Sequence, residues 1–352
     1  MFIKESICIS PQPTFPSQFA APTLTEHQGN KYYALEPPYE GLIHPGALRR
    51  MGKAVKMGVA AGTYLLKNTG LTDGIIIGTA NGGLEDCIKF LNQIVDYDEG
   101  TLTPTNFVQS TPNALAGQLA LIHSNHGYNI THAHGGLSFE NAIMDATLLF
   151  EQAEADRLLV GCVEEISEYN HAIDLASGLF KKEMTTSHSL LSSETKGTVN
   201  GEGAALFFLE RTPSRSHQTR IKDLASISYL APKQLIPYWD AFLERQGLEK
   251  DEIGALILGY NGDHDSRFWY DQVRSQLPES TPVFSFKNAC GEYPTAAGFA
   301  VWLGQQILEN KPVPEELMLG GQKNGDIRNI VIYNHYRQIQ HSFILLDTYR
   351  SA

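Results

Sequence analysis

Apolar residues recur at helical spacing from Ala47 to Asn68, where Leu48, Met51, Val55, Val59, Tyr64 and Leu65 form one stripe. The run Gly74–Gly78 is short, apolar and glycine-ended, the pattern of a buried strand entering a tight turn. A second amphipathic helix is predicted from about Ser138 to Ala153, with Phe139, Ala142, Ile143, Ala146, Leu149 and Phe150 on one face. It leads into another buried strand at Leu158–Val163. The second half repeats this grammar. Ala255–Leu258 and Val283–Phe286 read as strands, Ala296–Leu308 as a helix, and Asn329–Asp347 as a hairpin. Short buried strands alternating with helices predict an α/β fold of layered sheets and helices. The most linker-like stretch, Thr212–Ser216, divides two similar halves, 1–214 and 215–352, of one integrated domain.

Charge narrows the classes of function. The chain has 352 residues and a formal net charge of −12, which argues against non-specific nucleic-acid binding, because that rests on a basic footprint. No stretch approaches the roughly 20 apolar residues of a membrane span. The opening MFIKESICIS lacks the apolar core of a signal peptide. Cys8, Cys87, Cys162 and Cys290 are scattered, with neither metal-ligand spacing nor a disulfide framework. The expectation is a reduced, cytoplasmic protein without metal or cofactor.

Five segments, each a weak glycine-rich string alone, occur in one register. They are Gly74–Leu84, Ser110–Leu119, Ala155–Glu164, Gly197–Leu206, and Lys287–Gly291 followed by Ala296–Gly298. In this order they resemble the β-ketoacyl-acyl-carrier-protein synthases, or ketosynthases. The resemblance spans roughly residues 45–345, in a chain shorter than a typical member chiefly between Glu164 and Asn261. It implies a thiolase-like fold, two βαβαβ halves in five alternating α and β layers. It also implies pairing of two subunits through the strand before the nucleophile. Active members carry a cysteine where that strand turns into a helix, whose dipole favours thiolate. Two histidines then stabilise the enolate formed on decarboxylation.

The chain departs from that pattern at each catalytic position. With Tyr128–His134 read as the strand and Ser138 onward as the helix, the nucleophile position falls on Gly136, which carries no nucleophile. Asn261 stands where the first histidine is implied and Glu292 where the second is, and a carboxylate there would repel an enolate. The glycine-rich oxyanion turn is replaced by Asn334–Gln340, whose bulky polar residues should block close backbone approach. Of the catalytic set only Lys287 remains, expected to keep a structural ion pair.

Other implied features persist. Arg49 and Arg50 match positions that dock the acidic carrier protein, with Lys53 and Lys56 behind them; a solvated helix face explains them equally well. Asn81 and Phe107 match positions flanking the acyl tunnel near the dimer seam, where plain interface packing is the simpler account. His132 and His134 face one side of the predicted strand as a tunnel or interface pair, without a third ligand for a metal. Cys290 lies near the altered site as a substitute nucleophile or a core residue, and Cys162 reads as packing. His264–Tyr270 either rims a pocket or packs a helix start.

The function this implies is a non-catalytic partner subunit, resembling a chain-length factor of polyketide or aryl-polyene type. It would form a heterodimer with an active ketosynthase, shape the acyl tunnel and meet acyl carrier protein. One alternative is a thioester hydrolase or cyclase built from His132, His134, Cys290 and Glu292. The other is a homodimeric scaffold for carrier proteins.

Overall fold

In the computed structural model, which describes residues 1–102, 104–322 and 326–351, the first half runs β1 (Phe2–Ile9), β2 (Lys31–Tyr32), α1 (Pro45–Leu48), α2 (Lys53–Thr69) and β3 (Gly74–Gly78). It continues through α3 (Leu84–Asp96), α4 (Pro104–Gln109), α5 (Ala114–His123), β4 (Tyr128–His132), α6 (Ser138–Glu151) and β5 (Arg157–Glu164). It closes with α7 (Glu168–Ala176), β6 (Asn200–Gly201) and β7 (Gly203–Glu210). The second half comprises β8 (His217–Ser228), α8 (Leu235–Arg245), β9 (Ala255–Leu258), α9 (Arg267–Arg274) and β10 (Val283–Ser285). After these come α10 (Lys287–Cys290), α11 (Ala297–Leu308), β11 (Met318–Gly320), β12 (Asn329–Tyr336) and β13 (Gln340–Arg350).

The two halves use the same pairing rules. In the first, β3 runs parallel to β4 and β5, while β7 is antiparallel to β5 and β1. In the second, β9 runs parallel to β10 and β12, while β13 is antiparallel to β12 and β8. Strand β11 adds to β10, and a single pair, Phe2 with Arg220, joins the halves edge to edge.

Burial produces the layers. One apolar cluster packs α2 and α5 on the outer face of the first sheet, through Val55, Val59, Leu115, Ile75 and Leu206. A central cluster sandwiches α6 and α11 between the inner faces of both sheets, joining Phe139, Ile143, Trp302, Phe207 and Ile332. A third packs α8 and α9 outside the second sheet, through Trp239, Val273, Tyr333 and Phe343. The order is helix, sheet, helix, sheet, helix, the thiolase-like arrangement. Helix α11 is buried all round, as a middle layer requires.

Two predicted elements are corrected. The helix expected to run unbroken from Ala47 is interrupted between Leu48 and Lys53, so Arg49 and Arg50 sit in a turn instead of on the helix. Gly52 ends that turn: a Cβ there would come within 2.3 Å of the Asp86 carboxylate. The strand expected to reach His134 stops at His132. His134 therefore does not share a strand face with it.

Candidate functional site: a closed ketosynthase-like centre

Gly136 lies in the turn between β4 and α6. Ser138 shapes that turn by accepting the His134 N–H and donating to the Gly135 carbonyl, each at 2.8 Å. A Cβ on Gly136 would meet Tyr336 Cβ at 2.2 Å and its ring at 2.7 Å. The volume expected for a nucleophile is thus filled from the β12–β13 turn. Gln340, at the start of β13, completes the closure. Its Oε1 accepts the Gly136 N–H at 2.6 Å and its Nε2 donates to the His134 carbonyl at 3.1 Å. The Gly136 N–H is therefore not free to donate to a bound anion.

Asn261 and Glu292 are brought together. Gly291, in the left-handed region at φ 75° and against Gly201, turns the chain so that Glu292 docks beside β6. The Glu292 N–H donates to Val199 at 2.8 Å and its carbonyl accepts from Gly201 at 3.0 Å. Its carboxylate Oε2 accepts from Asn261 Nδ2 and from Lys287 Nζ, both at 2.8 Å. Lys287 also donates to the His335 carbonyl at 3.1 Å. Both ends of the ion pair are buried. Glu292 Oε2 is thus engaged by two donors instead of standing free to repel an enolate. It is held by the retained lysine. Asn261 Oδ1 accepts from the Asp263 N–H and the Ser266 hydroxyl at 3.1 Å each, so the amide is fixed on both sides.

The remaining cavity beside Glu292 and Tyr336 is about 30 Å³, bounded also by Asn81, Glu164, His171 and Asn200. That is room for a water and far below the roughly 300 Å³ of a ligand site. A shallower open cleft of about 290 Å³, between Asn261, Asp263, Ser266, His335 and Arg337, also ends on Glu292. Burial drives the His335 imidazole well below its ordinary pKa, so it is neutral, stacked on Tyr270 at 4.6 Å.

The proposed hydrolase set is not assembled. Neither His132, His134 nor Cys290 lines the Glu292 cavity among the described residues. His132 Nε2 instead pairs with Asp145 at 3.0 Å, an acceptor it shares with the Tyr128 hydroxyl. Cys290 is fully buried, and desolvation raises its thiol pKa, the opposite of an activated nucleophile. Cys162 is likewise a core thiol, pushed up to about 12 by burial. Among the described residues, no group of three or more His, Cys, Asp or Glu is placed to hold a metal. No helix among them is long and apolar enough to cross a membrane. The His264–Tyr270 string does both things expected of it: Asp265 and Ser266 rim the cleft, while Trp269 and Tyr270 are buried.

Missed at the sequence level is a set of buried carboxyls. Burial raises Glu140 and Glu165 to about 7 and Glu164 to about 8. Glu140 accepts from Ser342 at 2.7 Å, and Glu164 from the Asn81 N–H at 3.1 Å. Because folding raises these pKa values above the ordinary 4.5, the folded state holds the protons more tightly. That stabilisation is complete below about pH 4.5 and is lost as pH rises through about 7–8, at about 1.4 kcal/mol per pH unit per titrating group. Urea unfolding from pH 5 to 8 should therefore show falling stability, with a flatter profile in Glu140→Gln.

On the outside, β4 is a sheet edge with α5 and α6 packed against it, and several helices of this half expose large apolar side chains. Val95 on α3 is 79% exposed and Leu121 on α5 76%. Tyr97, Phe107, Tyr128 and Leu148 are also exposed, with Phe107 against Phe90 at 5.4 Å. An apolar surface beside an unpaired strand marks an association face.

The layered fold and the strand–turn–helix at β4 and α6 define a ketosynthase-like protein. The model of the beta-ketoacyl synthase N-terminal domain matches residues 25–209, more than half of the 352, and the chain belongs to that family. No curated protein matches it. Among solved structures, the ishigamide ketosynthase/chain length factor superposes with a TM-score of 0.79 at 18% identity, covering 99% of each chain. A beta-ketoacyl synthase from Burkholderia phymatum STM815 gives 0.79 at 14%, covering 100% of this chain and 99% of the other. The ketosynthase ApeO in complex with its chain length factor ApeC, from Xenorhabdus doucetiae, gives 0.72 at 16%, with 98% and 97% covered.

Proposed function

We propose that this chain is a non-catalytic ketosynthase-like subunit that pairs with a cysteine-bearing β-ketoacyl synthase and helps to shape its acyl tunnel. The observation that carries this reading is the filled centre. Tyr336 occupies the nucleophile volume, Gln340 takes the Gly136 N–H, and Lys287 holds Glu292 where an enolate donor would be needed. A fold kept intact around a closed centre, with an apolar face along β4, suits a partner better than an independent catalyst. The kinship of fold with ketosynthase/chain length factor proteins supports the same reading. Phe107, exposed, then lies at the seam, where it can bound a growing chain, while Asn81 lines the small cavity beside Glu292. The pair acts in the cytoplasm, where carrier-bound chains are made.

Face and docking are tested separately. Leu121→Asp places a charge where a partner would have to bury it. It should weaken association with a cysteine-bearing β-ketoacyl synthase by about 100-fold or more while the isolated chain stays folded, read by sedimentation and circular dichroism. Unchanged association would remove the β4 face from the account. Arg49 and Arg50 are exposed and make no ion pair among the described residues, so they are free to meet acidic carrier protein. The Arg49→Ala/Arg50→Ala variant should bind carrier protein about tenfold more weakly, with the difference shrinking at high salt.

A further inference from the structure

We infer that the β12–β13 turn braces the partner-facing segment 132–137, with Gln340 as the positioning residue. This deepens the proposed pairing and rests on it. The turn has two non-glycine residues in the left-handed region, Arg337 at φ 53° and Gln338 at φ 57°. The Ile339 N–H closes it onto the Tyr336 carbonyl at 3.1 Å. Tight hairpin turns of this hand favour asparagine and glycine, so an Arg-Gln pair needs outside support.

That support comes from both halves of the molecule. The Arg337 guanidinium donates to Asp174 on α7 at 2.7 Å, and Trp269 Nε1 on α9 donates to Gln338 at 3.0 Å. So anchored, the turn presents Gln340 to the backbone just beyond the β4 edge. Its amide engages the Gly136 N–H and the His134 carbonyl at once, one acceptor and one donor. These bonds cross more than 200 residues of sequence. The exposed Ala133 and His134 are therefore carried on backbone held from behind. A face whose backbone is fixed before binding has less entropy to lose when a partner arrives.

The test compares the whole chain with Gln340→Ala, which loses both bonds, and Gln340→Glu, which keeps the acceptor but loses the donor. Amide exchange at Gly136 is read on the isolated chain. Association is read with the cysteine-bearing synthase that co-purifies from the host, or as self-association if the chain pairs only with itself. In Gln340→Ala, exchange at Gly136 should rise at least tenfold and association weaken at least tenfold, with the melting temperature little changed. Gln340→Glu should keep Gly136 protected and show an intermediate affinity. Should the alanine variant fail to fold, the glutamate variant against wild type carries the comparison. Unchanged Gly136 exchange, or faster exchange with unaltered association, would overturn the brace. Pairing only with itself overturns the heterodimer reading but leaves the brace to its own readouts, and a strictly monomeric wild type overturns both.

Discussion

Replacing Lys287 by alanine should cost about 3–5 kcal/mol of folding stability, the cost of leaving a buried charge without its partner. The lysine is buried, and Glu292 Oε2 depends on it at 2.8 Å. The other carboxylate oxygen, Oε1, already lacks a hydrogen-bond partner among the described residues. Removing the ammonium also withdraws the positive charge that lowers the pKa of Glu140. The double variant Lys287→Met/Glu292→Met should recover most of the loss, because a buried pair exchanged for apolar groups of similar volume is often close to neutral. Urea unfolding of the three proteins gives both numbers. A single-variant cost below about 1 kcal/mol would mean that the pair is solvated and the centre open.

The second large effect concerns Gly136→Cys. Restoring the cysteine should yield no β-ketoacyl product and should cost about 1–3 kcal/mol, the range for overpacking a filled site. The reason is steric before it is chemical, since Tyr336 Cβ lies 2.2 Å from where the new Cβ must go. Adding Tyr336→Gly should relieve the clash without returning activity. Asn261 and Glu292, at the two positions where the resemblance implies histidines, remain bound to each other, and Asn261 also to Ser266. Condensation product from either variant, purified free of other ketosynthases, would contradict the closed-centre account.

Much of the fold could be read from the chain because its central strands are continuous apolar runs. Gly74–Gly78, Leu158–Val163 and Ala255–Leu258 are buried on both faces, and their pattern admits little else. Strands β1 and β8 escaped notice. Their sequences, FIKESICI and HQTRIKDLASIS, mix charges among apolar residues, as suits strands where the two halves meet. The break at Arg49–Gly52 was hidden because a four-residue turn leaves the apolar stripe almost in phase.

The site divides in the same way. The residues that stand at the expected catalytic positions can be read directly, because each position falls in a local motif. What fills the space cannot. Lys287 and Glu292 are five residues apart, and an ion pair for the lysine could be anticipated. Its partner was instead expected to repel substrate. Tyr336 and Gln340 reach Gly136 across about two hundred residues, a contact that no local pattern encodes. The separation of His132 from His134 turned on where β4 ends, which periodicity locates only to within a few residues.

The most direct test of the central claim is native mass spectrometry of the tagged chain purified from its own host. The account predicts a 1:1 complex with a β-ketoacyl synthase that carries the active-site cysteine, and loss of that complex in Leu121→Asp. A homodimer or monomer, with no such synthase at any concentration tested, would contradict it.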